Sequence, residues 1–299
     1  IIGFARSGLA CANLLNELGA QVSVTDSQDN ESLRSTTLAL ERRKIKVELG
    51  GHSQEFIKGR DLIVVSPGVP DESSAIIRAK DYGIPLISEI ELAWQVCEGK
   101  VIAVTGSSGK TTVTPLIGKM LEAAGKKAFV CGNIGRPFSA EVEKISKGDF
   151  VSLEVSSFQL EKIKSFKPNI ALILNFSANH LDRYKGLKEY LEAKKRIFMN
   201  QDENDYLVLN RRDAVLKGLS SEAKAGVVAD AVQSNPDRRY PATVLQRLPN
   251  ARFYITSGAA KNLAARQLYL ARQTKSLDAA QVEKIVVDLS VLKQKTIES

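Results

Sequence analysis

The chain has 299 residues, of which 43% are hydrophobic and 25% are charged, and these fractions are typical of a globular protein. No apolar run reaches the ~18–20 residues needed to cross a membrane and no signal peptide opens the chain, so we expect a cytoplasmic protein. Three widely spaced cysteines and two histidines leave little room for a disulfide scaffold or a histidine-rich metal site. Because the chain opens inside an apolar strand, we expect its natural start to lie upstream.

The net charge of +8 is concentrated in the last third of the chain. Residues 211–299 carry 15 Lys and Arg against 8 Asp and Glu, a net charge of +7, whereas residues 1–210 are nearly neutral. These basic residues are scattered and no nucleic-acid motif accompanies them, so we do not expect nucleic acid as a partner.

Residues 1–92 predict alternating strands and helices. Apolar strand segments occur at 1–5, 21–26, 46–50, 61–68 and 84–90, and helical spacing occurs at 7–19 and 71–83. Strands separated by helices predict a parallel sheet covered on both faces. This part of the α/β chain is therefore predicted to be a Rossmann-like domain.

The alternation restarts near residue 93 and predicts a second α/β domain over residues 93–210. Its strands are predicted at 100–106, 127–132, 149–156, 169–177 and 205–210, and its helices at 109–125 and 187–200. Residues 211–299 stay an unassigned basic tail, partly helical, with helical patterns at 259–275 and 278–294.

A glycine-rich loop joins the strand at 100–106 to the helix at 109–125. Its phosphate-binding pattern consists of Gly106, Ser107, Ser108, Gly109, Lys110, Thr111 and Thr112. Backbone N–H groups at a helix N-terminus attract an anion, Lys110 would neutralise phosphate oxygens, and Thr111 would offer a hydroxyl to Mg²⁺. Val104 stands where the longer Walker pattern has its first glycine, so this loop is one turn shorter. An ordinary strand-to-helix turn is the alternative.

Two further polar residues of this domain fall at the ends of predicted strands. Glu154 interrupts an apolar run, and a buried carboxylate needs a cation, which beside a phosphate loop is Mg²⁺. A surface glutamate on an edge strand is the alternative. His180 follows the next strand, at the sheet edge where α/β proteins bind ligands, whereas His52 has no polar cluster around it.

The first domain shows a looser nucleotide pattern. Its opening turn, GFARSG at residues 3–8, has Ala5 in place of the second glycine of a dinucleotide fingerprint. Asp26 ends the next strand, where an acidic side chain often contacts a ribose, and the SPGVP turn at 66–70 ends a later strand. Small or polar residues at three strand ends indicate a cleft for a nucleoside diphosphate.

Five strings follow the order seen in the Mur ligase family. They are VTGSSGKTT at 104–112, CGNIG at 131–135, LEVSSFQLE at 153–161, NHLDRY at 179–184 and YLEAKKRI at 190–197. Through them, residues 1–210 resemble that family: a Rossmann-like domain followed by an incomplete P-loop central domain. The SSFQLE string, the IIG…SGLA opening and the SPG turn are most similar to the members that add D-glutamate.

The resemblance implies an ATP-dependent, amide-forming ligase of peptidoglycan precursor synthesis. ATP would phosphorylate the carboxylate of UDP-N-acetylmuramoyl-L-alanine, and the amine of D-glutamate would attack the resulting acyl phosphate. It also implies two Mg²⁺ ions beside ATP and a monomeric cytoplasmic enzyme.

Residue roles are carried over from the same strings. Lys110 matches the lysine on the γ-phosphate, and Thr111 and Glu154 match the ligands of one Mg²⁺. His180 matches a ligand of the second Mg²⁺, and Lys194 matches a lysine that is carbamylated in the family, so Lys110, Lys194 and His180 are the expected catalytic residues. The expected substrate-binding residues are Ser7, Asp26, Ser27, Ser66, Gly68, Asn133, Ser156 and Gln159.

The sequence departs from the family pattern at single positions and in its tail. Ser108 replaces the usual Asn of the P-loop, Asn179 replaces an acidic residue, and Gln28 stands where a basic nucleotide contact is sometimes found. Residues 211–299 match neither the rest of the central domain nor a third domain, so we expect a truncated or altered copy with impaired activity. Two hypotheses stay open: another Mur-type ligase, such as a folate polyglutamylating enzyme, and a non-catalytic nucleotide-binding protein whose basic tail binds an acidic partner.

Overall fold

The computed structural model describes residues 1–178, 183–210 and 212–223, together with the backbone of 227–231, 252–253 and 287–288. The chain divides into two compact units. The first unit consists of Ile1–Glu98, Cys131–Ser146 and Val155–Lys167, and the second consists of Gly99–Val130, Lys147–Glu154 and Pro168–Ser299. None of the described helices is both long enough and apolar enough to span a membrane.

The strands, in chain order, are β1 (Ser23–Asp26), β2 (Lys46–Leu49), β3 (Ile63–Val65), β4 (Leu86–Ser88), β5 (Lys100–Thr105), β6 (Ala128–Gly132), β7 (Phe150–Glu154), β8 (Ile170–Ile173), β9 (Tyr206–Asn210), β10 (Val227–Ala231), β11 (Arg252–Phe253) and β12 (Val287–Asp288). The helices are α1 (Arg6–Glu17), α2 (Glu31–Arg42), α3 (Gln54–Ile57), α4 (Ser74–Asp81), α5 (Glu89–Val96), α6 (Lys110–Ala123), α7 (Ser157–Leu160), α8 (Leu187–Lys195) and α9 (Ala214–Lys217). Short 3₁₀ turns lie at Phe138–Ala140, Val142–Lys144, Arg196–Phe198 and Gly218–Glu222.

In the first unit, the start of the chain lies between two pairs of parallel strands. β1 pairs with β2 and β3 pairs with β4, and Ile2 forms parallel bridges to Thr25 in β1 and Val65 in β3. The Gly3 N–H donates to Thr25 O at 2.8 Å. Ile2 is only 1% exposed, and burying a side chain of this size stabilises a fold by about 1.5–3 kcal/mol. The predicted opening strand is thus a single bridging residue at the centre of a parallel, Rossmann-like arrangement.

Two buried glutamates explain why the first unit takes in segments that the sequence analysis placed in the second domain. The Glu91 carboxylate accepts the backbone N–H groups of Ser165 at 3.0 Å and Phe166 at 2.8 Å. Glu89 Oε1 accepts the backbone N–H of Ser139 at 2.7 Å. These hydrogen bonds join α5 to segments that lie 50 or more residues downstream. No local sequence pattern reveals contacts over such a separation.

α5 itself is a correction to the predicted strand at 84–90. The strand β4 ends at Ser88, and the helix begins at the next residue with Glu89 and Glu91 in its first turn. Acidic side chains are favourable at a helix N-terminus because of its partial positive charge. The acidic pair therefore marks a helix start that the apolar pattern concealed.

The second unit is built on a six-stranded sheet with the order β10-β9-β8-β5-β7-β6. The pairs β5–β7, β5–β8, β8–β9 and β9–β10 are all parallel. β5 is central, and its residues from Val101 to Thr105 are buried. α6 lies close to β6, since a Cβ added at Gly118 would come within 2.3 Å of Val130 Cγ2. The carboxyl ends of β5, β7 and β8 consequently share one edge of the sheet.

The sheet continues past residue 210, where the sequence analysis placed an unassigned tail. β10 adds a parallel strand next to β9, and β11 pairs antiparallel with β12 in a separate two-stranded sheet. Val287–Asp288 is therefore a strand where a helix over 278–294 was predicted, in keeping with the β-branched run at 285–287. The helix predicted at 259–275, and the rest of that at 278–294, lie outside the described residues.

Candidate functional site

The loop between β5 and α6 has the backbone of an anion cradle. Gly109 has a φ of 80°, in the left-handed region that favours glycine, and Gly106 has a φ of 151°. Gly109 is the N-cap of α6, and in the described part of the chain no side chain caps the first turn of that helix. Its first N–H groups are therefore available to an anion at the loop.

Lys110 folds back over this loop from the first position of α6. Its Nζ donates to Gly106 O at 2.9 Å, and its side chain is half-buried. Burial lowers the pKa of Lys110, and the nearby carboxylate of Glu154 opposes that shift. A cation and a carboxylate thus lie close together at the carboxyl ends of β5 and β7.

Glu154 is not a surface residue on an edge strand. β7 lies between β5 and β6, and Glu154, aligned with Val104 of β5, is only 1% exposed. A carboxylate so buried is costly unless positive charge lies near it. Lys110 supplies part of that charge, and a Mg²⁺ at the adjacent loop would supply more.

Lys194 approaches the same loop from α8. The ammonium donates to Gly106 O at 3.0 Å and Thr105 Oγ1 at 3.5 Å, and the side chain is 1% exposed. Burial, together with the nearby charge of Lys110, lowers the pKa of Lys194 to about 7. A substantial fraction of Lys194 is therefore a neutral amine at neutral pH.

Tyr190 is a part of this site that the sequence analysis did not single out. Lys194 Nζ lies 4.5 Å from the centroid of the Tyr190 ring, and Tyr190 Oη lies 3.5 Å from Ser107 Oγ. The ring also contacts Phe176 and Tyr184, with centroids 5.4 and 5.2 Å away. The spacing of four residues between Tyr190 and Lys194 on a predicted helix was the available signal.

The first unit contains a second strand–turn–helix junction, at residues 3–8. Gly3 has a φ of 95°, and a Cβ added at Gly8 would lie 1.9 Å from Gly3 O. α1 therefore begins directly against the end of the opening segment, and no described side chain caps its first turn. Ser66 Oγ donates to Gly3 O at 3.1 Å, so Ser66 and Ser7 both belong to this junction.

Asp26 orders the neighbouring turn. Its Oδ2 accepts the N–H of Phe4 at 2.6 Å, and its Oδ1 accepts the N–H of Gln28 at 2.8 Å. Ser27, next to it, is exposed, and so is Gly68 after β3. The carboxylate thus has a structural role, and a contact with substrate stays a prediction.

The three remaining predicted substrate residues belong to the same unit. Ser156 and Gln159 form a capping box on α7: Ser156 Oγ accepts the Gln159 N–H at 3.3 Å, and Gln159 Oε1 accepts the Ser156 N–H at 3.0 Å. Asn133 lies in the loop after β6, and Arg6 Nη1 donates to Gly135 O of that loop at 3.1 Å. Arg6, which the sequence analysis passed over, therefore joins the start of α1 to the Asn133 loop.

Glu89 is a buried acid that the sequence analysis missed, unlike Glu154. Its position within an apolar run was the available signal. Besides the Ser139 N–H, its Oε1 accepts the Ser139 Oγ–H at 2.8 Å. Burial raises the pKa of Glu89, and its hydrogen bonds to Ser139 only partly oppose this. Glu89 anchors the 3₁₀ turn that follows the Asn133 loop.

Of the two histidines, only His52 lies in the part of the chain that the structure describes. His52 has a hydrogen-bond contact between Nδ1 and Thr25 Oγ1 at 2.9 Å, which is a structural contact. His180 lies outside the described residues. Within the described ranges, no group of three or more His, Cys, Asp or Glu residues could hold a metal ion.

Comparison with known proteins gives matches over both units. The model of the Mur ligase middle domain matches residues 104–283, and that of the MurD-like N-terminal domain matches residues 1–88. The first match extends well beyond residue 210, so the middle domain takes in most of the region that the motifs left unassigned.

Curated relatives and one solved structure agree with these matches. UDP-N-acetylmuramoylalanine–D-glutamate ligase from Caldanaerobacter subterraneus is 40% identical over 76% of this chain and 50% of that protein. The protein of the same name from Koribacter versatilis is 43% identical over 76% of this chain and 50% of its own length. The UDP-N-acetylmuramate:L-alanyl-gamma-D-glutamyl-meso-diaminopimelate ligase from Neisseria meningitides shares the fold, with a TM-score of 0.52 and 20% identity over 77% of this chain and 76% of that one. The chain spans about half the length of the curated relatives it matches.

Proposed function

The chain belongs to the Mur ligase family, and from this premise we propose that it serves an ATP-dependent ligase that adds D-glutamate to UDP-N-acetylmuramoyl-L-alanine. The observation that carries the proposal is the meeting of Lys110, Glu154 and Lys194 around the loop after β5. A loop with two lysines donating to one carbonyl and a buried carboxylate beside it has the charges that a nucleoside triphosphate with a divalent cation requires.

ATP is proposed to bind at the N-terminus of α6. The N–H groups of Gly109, Lys110 and Thr111 would face its phosphates, since those of Ser107 and Ser108 already donate to Asn175. Lys110 would exchange its bond to Gly106 O for phosphate oxygens. The Thr111 hydroxyl and the Glu154 carboxylate fit Mg²⁺, which prefers oxygen ligands, and Mg²⁺ when bound neutralises phosphate charge.

A second Mg²⁺ is proposed to involve Lys194 and His180. An ammonium would repel the ion, but the lowered pKa of Lys194 makes its amine able to add CO₂ at neutral pH. The carbamate formed would be an oxygen ligand with the charge of a carboxylate. This proposal gives the burial of Lys194 a chemical role, because burial favours the neutral amine that reacts with CO₂.

The UDP part of the substrate is proposed to bind to the first unit. The uncapped start of α1, with Ser7, Ser66 and Asn133, would receive the diphosphate. None of the eight predicted substrate residues is basic, so Arg6 is the group we propose for the positive charge. It has one hydrogen bond, to a carbonyl, and no carboxylate partner among the described residues.

The proposed reaction transfers the γ-phosphoryl group of ATP to the alanyl carboxylate, which gives an acyl phosphate and ADP. The D-glutamate amine then attacks the acyl carbon, an amide bond forms, and phosphate leaves with the electrons of the broken C–O bond. This chemistry depends on positioning and charge neutralisation more than on covalent help from the protein. We propose a monomer in the cytoplasm, where the free thiols Cys11 and Cys131 would stay reduced.

Phosphate release tests the proposal. With the full chain, MgATP and UDP-N-acetylmuramoyl-L-alanine, we expect release that depends on D-glutamate and is abolished by Lys110→Ala. Lys119→Ala is the matched control, because Lys119 lies on the same helix and pairs with Glu122 at the surface. Nucleotide binding without any turnover would contradict the ligase and favour the non-catalytic nucleotide-binding hypothesis.

A further inference from the structure

The segment that leaves β8 runs along the phosphate loop and is hydrogen-bonded to it residue by residue. The Ser107 N–H donates to Asn175 O at 3.1 Å. Ser107 Oγ donates to Ser177 O at 3.0 Å and accepts the Ser177 N–H at 2.9 Å. The pairing of β5 with β8 is thus extended beyond the ends of both strands.

The Asn175 side chain adds a second set of bonds to the next residue of the loop. Its Oδ1 accepts the backbone N–H of Ser108 at 2.9 Å, and its Nδ2 donates to Ser108 O at 3.1 Å. Ser108 Oγ is 3.4 Å from the same Oδ1. One side-chain amide therefore pairs with both peptide groups of Ser108, as a neighbouring strand would.

This pairing matters because of the position of Ser108 in the loop. Gly109 is next, in the left-handed region, and Lys110 begins α6. Ser108 is exposed, and glycine is the residue whose backbone rotates most freely. Fixing both peptide planes at Ser108 sets the direction in which the subsequent N–H groups point.

We propose that Asn175 is a positioning residue for the nucleotide. Its neutral amide holds Ser108 so that the loop presents its remaining N–H groups to phosphate before the nucleotide arrives, and it does so without touching phosphate itself. This role rests on the proposed ATP site. An acceptor alone is not sufficient, because a carboxylate at position 175 would lie against Ser108 O and beside the bound anion.

Three variants of the full chain test this role. Asn175→Ala removes all the side-chain bonds, and the nearly isosteric Asn175→Asp keeps the acceptor for the Ser108 N–H but adds charge. Asn169→Ala is the matched control: Asn169 precedes the same strand, and its Oδ1 accepts the Val101 N–H at 2.9 Å. Calorimetry would give the affinities for a magnesium-bound, non-hydrolysable ATP analogue and for UDP, and amide hydrogen exchange would be followed over residues 106–109.

We expect Asn175→Ala to weaken binding of the ATP analogue at least 10-fold and to speed exchange at 106–109 at least 5-fold. Asn175→Asp should weaken analogue binding as much or more. Asn169→Ala, and the UDP affinity of every variant, should stay within 2-fold of the unsubstituted chain.

The proposed role would be overturned if Asn175→Ala bound the analogue with an affinity within 2-fold of the unsubstituted chain. It would also be overturned if Asn175→Asp bound the analogue better than Asn175→Ala. An equal loss in Asn169→Ala would show general damage to the sheet instead. If the unsubstituted chain does not bind the analogue, both the proposed ATP site and the nucleotide role of Asn175 are wrong. The exchange data then still decide whether Asn175 anchors the loop.

Discussion

The two strand–turn–helix junctions of this chain have the same connectivity but different chemistry. At residues 3–8 the glycines allow close approach, since a Cβ at Gly8 would lie 1.9 Å from Gly3 O. At residues 106–110 they allow a backbone turn, with a φ of 80° at Gly109, and two ammonium groups donate to Gly106 O. The glycines thus allow a close backbone contact at the first turn and a left-handed turn at the second, and the charges around the two turns differ.

The charges around the two junctions explain why we propose a different anion for each. The charge of Lys110 adds to burial in lowering the pKa of Lys194, so an anion at their loop would relieve a repulsion that is already present. The first junction has no buried lysine, and only the exposed Arg6 lies at its helix start. We accordingly assign the triphosphate to the second junction and the diphosphate to the first.

The largest effect is expected from Gly8→Ala, which would break the first junction alone. The added Cβ meets backbone that cannot move aside, so we expect destabilisation of about 3 kcal/mol or more in urea unfolding, and loss of UDP binding. Gly51→Ala is the control, because its Cβ would meet nothing within 4 Å. Equal stability of the two variants would refute the close contact.

Lys110→Ala would break the second junction alone. Removing the ammonium deprives the phosphates of a charge-assisted partner, and we expect binding of the ATP analogue to weaken by about 100-fold, or ~2.7 kcal/mol. UDP binding, measured in the same calorimeter, should not change. A loss of both affinities would mean that the two junctions are not separate sites.

Lys194 should make the stability of the chain depend on pH. Its pKa is about 7 in the folded chain and near 10.5 in the unfolded chain. Between these values the unfolded state binds more protons, so stability should rise with pH, by up to ~1.4 kcal/mol per unit. Urea unfolding at pH 7 and pH 9 checks this, and Lys194→Met should flatten the rise. An unchanged slope would show that Lys194 is not buried as a weak base.

The smallest effect concerns Glu89, which supports the Asn133 loop. Its raised pKa means that the folded state holds a proton more tightly than the unfolded state, so its contribution to stability falls as pH rises above about 4.5. Glu89→Gln should therefore raise stability at pH 7 by about 0.5–1 kcal/mol, because the amide oxygen can still accept from Ser139.

Glu91→Gln is the contrasting control for that measurement. Hydrogen bonds from Ser165 and its neighbours hold the pKa of Glu91 below its usual value, although burial alone would raise it. Its carboxylate stabilises the fold above pH 4.5, and this contribution is lost as pH falls. Glu91→Gln should thus be destabilising at pH 7, and a shift of the same sign in both variants would contradict the assigned burial of Glu89.

Local pattern was sufficient for the glycine-rich turn between β5 and α6 and for most strands of both units. The lone acid in an apolar run predicted a buried Glu154, and the structure places it on an interior strand. Long-range contacts were out of reach, because Arg6 and Gly135 are 129 residues apart and Ser108 and Asn175 are 67 apart. No periodicity or spacing encodes such pairs, so the joining of 131–146 and 155–167 to the first unit had no signal either.

Simultaneous binding of two nucleotides tests the central claim most directly. The full chain would be titrated with the magnesium-bound ATP analogue, with UDP, and with each in the presence of saturating amounts of the other. Two one-to-one sites are predicted, with neither nucleotide displacing the other, the first lost in Lys110→Ala and the second weakened in Arg6→Ala. Competition for a single site, or equal loss of both affinities in Lys110→Ala, would contradict the assignment of separate nucleotides to the two junctions.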